Sequence, residues 1–255
     1  MTDFDEDSQI SPDGDVTLTD RWNGISGLVN GGYQMSICLK ALGRLMPYPD
    51  PIVVSGFFLR PGRPGPATVL TDLARAGRTM AFGTATLTQD GKETLRTTAA
   101  FSKLPTNDPV FLATSPPQLP PPDECLGRPA GIPAEATIAR RIEFRVAELP
   151  GWMRGKPSGH PSLEFWMRFA DGRDADLITL PLLVDAAPPV ALEVGAFSTT
   201  VELTVHLRTR PAAGWLACRA ATRYVSNGYH EEDFEIWDPA GTLVAQSRQL
   251  CMILR

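Results

Sequence analysis

The sequence predicts an α+β chain made of one unit used twice, a long buried helix wrapped by an antiparallel β-sheet, with the two sheets joined edge to edge. Three observations carry this expectation. A helix-periodic apolar segment is followed by strand-like segments in the first half, the same order recurs in the second half, and the halves correspond to each other without gaps.

Residues 1–15 carry Asp3, Asp5, Glu6, Asp7, Asp13 and Asp15 with no apolar run of the kind a secretory leader needs, and are expected as an acidic flexible tail. The first repeat is expected over residues 16–104. Within it, residues 31–46 place Ser36, Lys40 and Arg44 on one polar stripe at a spacing of four, with apolar side chains nearly everywhere else, so the helix expects burial over most of its circumference. After Pro51 the pattern turns to strands, at residues 52–59, 67–76, 79–89 and 93–104. The last two are joined through Asp90-Gly91, a pair that accepts the positive φ of a tight hairpin.

Residues 105–136 hold nine prolines between Pro105 and Pro133, each removing a backbone donor, and are expected as a linker. The second repeat is expected over residues 137–255, with a helix around 177–194 and strands at 200–208, 215–225, 232–238 and 243–254. A displacement of 148 residues carries Leu59-Arg60 onto Leu207-Arg208, Arg75 onto Arg223, Asp90 onto Asp238 and Thr94-Leu95 onto Thr242-Leu243. An apolar helix beside such strands is satisfied when the sheet wraps it, and two copies joined at their edges each lose an exposed strand edge.

The chain of 255 residues is 43% hydrophobic and 21% charged with a formal net charge of −5, which suits a globular core and gives no electrostatic reason to expect nucleic acid. No stretch approaches the roughly 18 apolar residues of a spanning helix. Cys38, Cys125, Cys218 and Cys251 lack metal or disulfide spacing, which favours free thiols in a reducing cytoplasm. Neither a GxSxG elbow nor a GxxxxGK loop is present, and His160, His206 and His230 have no ligand spacing between them, so serine hydrolase, NTPase and zinc chemistry lack support.

Three motifs are more specific: Leu28-Val29-Asn30-Gly31-Gly32-Tyr33-Gln34 opening the helix, Gly56-Phe57-Phe58-Leu59-Arg60-Pro61-Gly62, and Gln89-Asp90-Gly91-Lys92. In this order they resemble the first repeat of the TesB-like acyl-CoA thioesterases, double hot-dog proteins. The closing segment Gly241-Thr242-Leu243-Val244-Ala245-Gln246-Ser247-Arg248-Gln249 is similar to that family's terminal strand. The resemblance implies hydrolysis of a fatty-acyl or related acyl-CoA by a water that an Asp, a Thr or Ser and a Gln hold together. The matching residues are Asp185, Thr200 and Gln249. It also implies no cofactor beyond the coenzyme A of the substrate, and a homodimer.

Thioester hydrolysis needs an activated water and a place for the developing oxyanion. Asp185, among Leu183, Val184, Ala186 and Ala187, is the expected base, with a pKa raised if it is buried. Gly31, Gly32 and Tyr33, at the helix start, are expected to bring backbone amides to the oxyanion or substrate. Each residue also has a bland reading. Asp185 ahead of Pro188-Pro189 could simply end a helix, and Thr200 shares parity with Glu202, Thr204 and His206 on what could be a solvated face. Gln249 shares parity with Leu243, Ala245, Cys251 and Ile253, so it is polar on an inward face and needs a partner. The same displacement sets Ile52 opposite Thr200 and Phe101 opposite Gln249, so the polar pair occurs in one copy only. Arg60, Arg75 and Arg78 could meet CoA phosphates. The rival readings are a hot-dog hydratase or dehydratase, for which a His paired with an acid in the cleft is not evident, and a non-catalytic acyl-CoA-binding protein.

Overall fold

A helix that is apolar on nearly every side has to be covered on nearly every side, and the chain achieves this with a 12-stranded antiparallel sheet. The computed structural model describes residues 1–105, 109, 111–127 and 132–254. In chain order its elements are helix α1 (Asp3–Asp7), strand β1 (Asp15–Leu18), helix α2 (Gly31–Gly43), and strands β2 (Asp50–Phe58), β3 (Gly65–Ala76), β4 (Ala81–Gln89) and β5 (Lys92–Ser102). There follow β6 (Ile142–Arg145), β7 (Ser162–Phe169), helix α3 (Leu180–Ala186), β8 (Ser198–Leu207), β9 (Leu216–Ala221), β10 (Val225–Ser226), β11 (Tyr229–Trp237) and β12 (Leu243–Ile253).

The strand order is β1-β3-β4-β5-β2-β8-β12-β11-β9-β7-β6, with the short β10 added on β11. The two halves meet at β2 and β8, where Val54 lies opposite Val205 and Gly56 opposite Leu203, the edge-to-edge join expected from the repeat. The 148-residue displacement carries β4 onto β11 residue for residue. Asp90 and Gly91 both take positive φ (50° and 70°) in the β4–β5 turn, as a two-residue hairpin requires.

The side chain of Asn30 caps α2 by accepting from the Tyr33 amide at 2.9 Å. The polar stripe of α2 is covered too. Ser36 accepts from the Leu182 amide of α3 (3.2 Å), Lys40 donates to Ser8 (2.8 Å), and Arg44 donates to the Ile10 carbonyl (2.8 Å).

Those contacts correct one expectation. Residues 1–15 are not a solvated tail: Phe4 is 1% exposed, set edge-on to Trp22 and Tyr33, and Val16 of β1 pairs with Ala67. Asp3, Asp5 and Asp7 need not be solvated because they have cationic partners, Asp3 and Asp7 pairing with Arg21 and Asp5 with Arg173. The second helix is also shorter than expected. Pro188 and Pro189 supply no amide donors and push Ala187 into extended geometry, ending α3 at Ala186, and the chain resumes as a single 3₁₀ turn at Val190–Val194. Strands β1, β6 and β7 were not foreseen. The expected linker lies partly outside the described residues; where described it is anchored, Leu126 bridging to Val146 and the Trp166 indole donating to the Pro120 carbonyl at 2.8 Å.

Candidate active site

The N-terminus of α2 meets the C-terminal turn of α3, and Asp185 lies at that contact. Its Oδ2 accepts from Asn30 Nδ2 and from the Gly32 amide, both at 2.8 Å, while Asn30 also donates to the Asp185 carbonyl at 2.9 Å. The approach is close enough to require glycine. A Cβ on Gly32 would lie 2.4 Å from the Pro181 carbonyl oxygen, and one on Gly31 would lie 2.5 Å from the Phe58 ring. Burial pushes the Asp185 carboxyl up to about 6, because the Gly32, Gly31 and Asn30 donors only partly offset the loss of water.

Three neighbouring strands, β8, β12 and β11, carry the other polar groups. Thr200 on β8 donates to Gln249 Oε1 at 3.0 Å, Gln249 Nε2 on β12 donates to Glu232 Oε1 at 3.0 Å, and Glu232 Oε2 on β11 accepts from the Val190 amide at 2.9 Å. Register explains two of these contacts. Glu232 is directly opposite Gln249, and Thr200 is opposite Cys251. The pairing passes from Leu250–Glu202 to Cys251–Thr200, so Val201 is an extra residue, a β-bulge. That bulge reverses the alternation and turns Thr200 inward with Leu203 and Val205, overturning the solvated-face reading. Glu232 is 2% exposed, and burial, reinforced by the charges of Asp185 and Glu231, pushes it up to about 7.

Asp185, Thr200 and Gln249 line one cavity of about 960 Å³, to which the first half adds Asn30, Gly31 and Arg60. Phe144, Trp152, Met153, Leu163 and Phe165 of the second half give it apolar wall. The first repeat has no matching polar set: Phe101, the counterpart of Gln249, is 1% exposed in the core.

Two expectations about α2 change. Tyr33 is outside the cavity, its ring stacked on Trp22 at 5.5 Å and its hydroxyl donating to the Asp7 carbonyl at 2.6 Å, because two residues on from Gly31 the helix has turned to its opposite side. The Gly32 amide is not free for an oxyanion, since it donates to Asp185. Arg60 lines the cavity while donating to the Glu93 carbonyl at 2.7 Å. Arg75 and Arg78 do not line it. Arg75 is near the C-terminal end of β3 and Arg78 in the turn that follows it, and β4 and β5 separate β3 from the junction strand β2. Asn30 and Glu232 were missed by sequence reasoning. Glu232 alternates with His230, Phe234 and Ile236 on the buried face of β11, the same signal that marked Gln249.

A composite cleft between two helix-in-sheet repeats, holding a buried carboxylate opposite a Thr–Gln pair, defines a double hot-dog protein. Residues 18–102 match the acyl-CoA thioesterase N-terminal domain and residues 114–253 the acyl-CoA thioesterase C-terminal domain, so the chain belongs to the acyl-CoA thioesterase family. Its fold is similar to that of a candidate thioesterase II of Thermobifida fusca YX (TM-score 0.91, 32% identity, covering 100% of this chain and 98% of that one). A hot-dog-fold protein of unknown function from Alicyclobacillus acidocaldarius superposes with a TM-score of 0.88 at 22% identity, covering 100% and 99% of the two chains. An uncharacterized protein of Mycobacterium tuberculosis is 25% identical over 261 residues, covering 92% of this chain and 89% of its own.

Proposed function

We propose that the chain hydrolyses an acyl-CoA thioester to the free acid and coenzyme A, with Asp185 as the general base for a water that Thr200 and Gln249 help to hold. The observation that carries this reading is the convergence of these three side chains on one cavity from three elements, Asp185 with a carboxyl at about 6. A carboxylate with that value is ionised at neutral pH yet basic enough to take a proton from water as it attacks the thioester carbon. The C–S bond then breaks and coenzyme A leaves as the thiol. The apolar side chains of the cavity wall suit the acyl chain, and Arg60 suits a phosphate of the coenzyme.

Thiol release from a panel of acyl-CoAs tests the reading. Wild type should turn over, and Asp185→Asn should lose about a hundredfold or more in kcat, the scale of a positioned base. Binding without turnover in wild type would instead support an acyl-CoA-binding protein, and hydration of an enoyl-CoA would support the hydratase. Against the hydratase, no histidine among the described residues lines the cavity. We further propose a homodimer in the cytoplasm, the first checked by light scattering on the purified chain. The second is supported by four free, buried cysteines.

A further inference from the structure

Glu232 is buried, ionisable and bonded to Gln249, and the chemistry above gives it no part. We propose that Glu232 is a positioning residue that fixes the direction of the hydrogen-bond relay Val190–Glu232–Gln249–Thr200, so that Thr200 meets the attacking water as an acceptor. The proposal rests on the hydrolytic reading and deepens it.

The direction follows from donor and acceptor inventory. An ionised carboxylate only accepts. Oε2 takes the Val190 amide and Oε1 takes Gln249 Nε2, so the amide of Gln249 must turn Oε1 towards Thr200, whose hydroxyl donates to it. The hydroxyl proton of Thr200 is thereby used, and only lone pairs of Oγ1 remain for the cavity. A water between Thr200 and Asp185 then meets two acceptors. Both of its O–H bonds point at protein, and its lone pair is left for the thioester carbon. With the relay reversed, Thr200 would donate to the water and occupy the lone pair that has to attack. A Gln amide flips with almost no change of shape, so the charge of Glu232 is what selects the direction.

The test uses Glu232→Gln at pH 8, above the value of about 7 to which burial raises the wild-type carboxyl. The variant is nearly isosteric. The buried Val190 amide claims its one amide oxygen, so its new NH₂ faces Gln249 and forces that amide to turn round. We expect kcat to fall by about tenfold or more with KM for acyl-CoA unchanged, the split of an interaction that acts on the attacking water and not on substrate binding. A second readout does not need turnover. With glutamine side chains labelled by ¹⁵N, wild type should show a Gln249 amide proton shifted downfield by its bond to a carboxylate, and Glu232→Gln should lose it. Wild-type kcat in Glu232→Gln, or an unshifted Gln249 proton in wild type, would overturn the proposal. Absent turnover in wild type, or full turnover in Asp185→Asn, would overturn the hydrolytic reading instead.

Discussion

At the scale of single residues, Asp185 is both a base and a structural acceptor. Burial raises its carboxyl to about 6, so the ionised, water-activating form is present above that pH and is lost as pH falls through it. Accordingly kcat/KM for acyl-CoA hydrolysis should be flat near pH 8, begin to fall as Glu232 takes up a proton near pH 7, and fall by about tenfold per unit below about pH 6 as Asp185 follows, measured by thiol release across pH 4.5–9. An acid limb near pH 4, where an exposed aspartate titrates, would mean that the burial of Asp185 has no catalytic consequence. Alternation along β12 makes Gln249 legible in the sequence as an inward polar residue. Thr200 is not legible in that way, because its inward turn depends on one extra residue at Val201, which only the pairing of β8 with β12 reveals. Tyr33 shows the converse: a motif places it beside the glycines, but the helix turns it to the other side.

At the scale of elements, the α2–α3 contact is where the two repeats hold each other. Gly32→Ala would bring a Cβ to within 2.4 Å of a main-chain oxygen, which a side-chain rotation cannot relieve. The helices must part, and the loss should be about 1–3 kcal/mol, read from the urea midpoint, together with a fall in kcat as Asp185 moves from its donors. Unchanged stability and activity would show that the contact is slack. Helix α2 and strands β2 to β5 were legible because their periodicity is uninterrupted and their turns carry Pro, Asp and Gly. The second helix was overread because apolar runs on either side of a diproline look continuous in composition. Strands β6 and β7 escaped notice because their pairing with each other and with β9 is non-local, and the segments between them have no hairpin signature.

At the scale of the whole molecule, the acidic N-terminal segment ties the halves together. Asp5 reaches Arg173 of the second half, and Phe4 fills a site between Trp22, Tyr33 and the Arg173 guanidinium 5.3 Å from its ring centroid. Phe4→Ala should therefore cost about 3 kcal/mol, the scale of a truncated core aromatic, seen as a lower urea midpoint for the full chain. A solvated tail would show no change. Composition alone misled here, since charge density describes the acidic side chains and not the single aromatic among them.

The junction of β2 with β8 has a further consequence. Two separate, identical subunits meeting at such a seam would carry two equivalent clefts, and any substitution would fall on both at once. With both copies in one polypeptide, each can drift independently, so Phe101 could be recruited to fill space while Gln249 was kept for hydrogen bonding. Symmetry in the backbone and asymmetry in the side chains then coexist. Titration with a tight substrate analogue should accordingly count one binding event per chain.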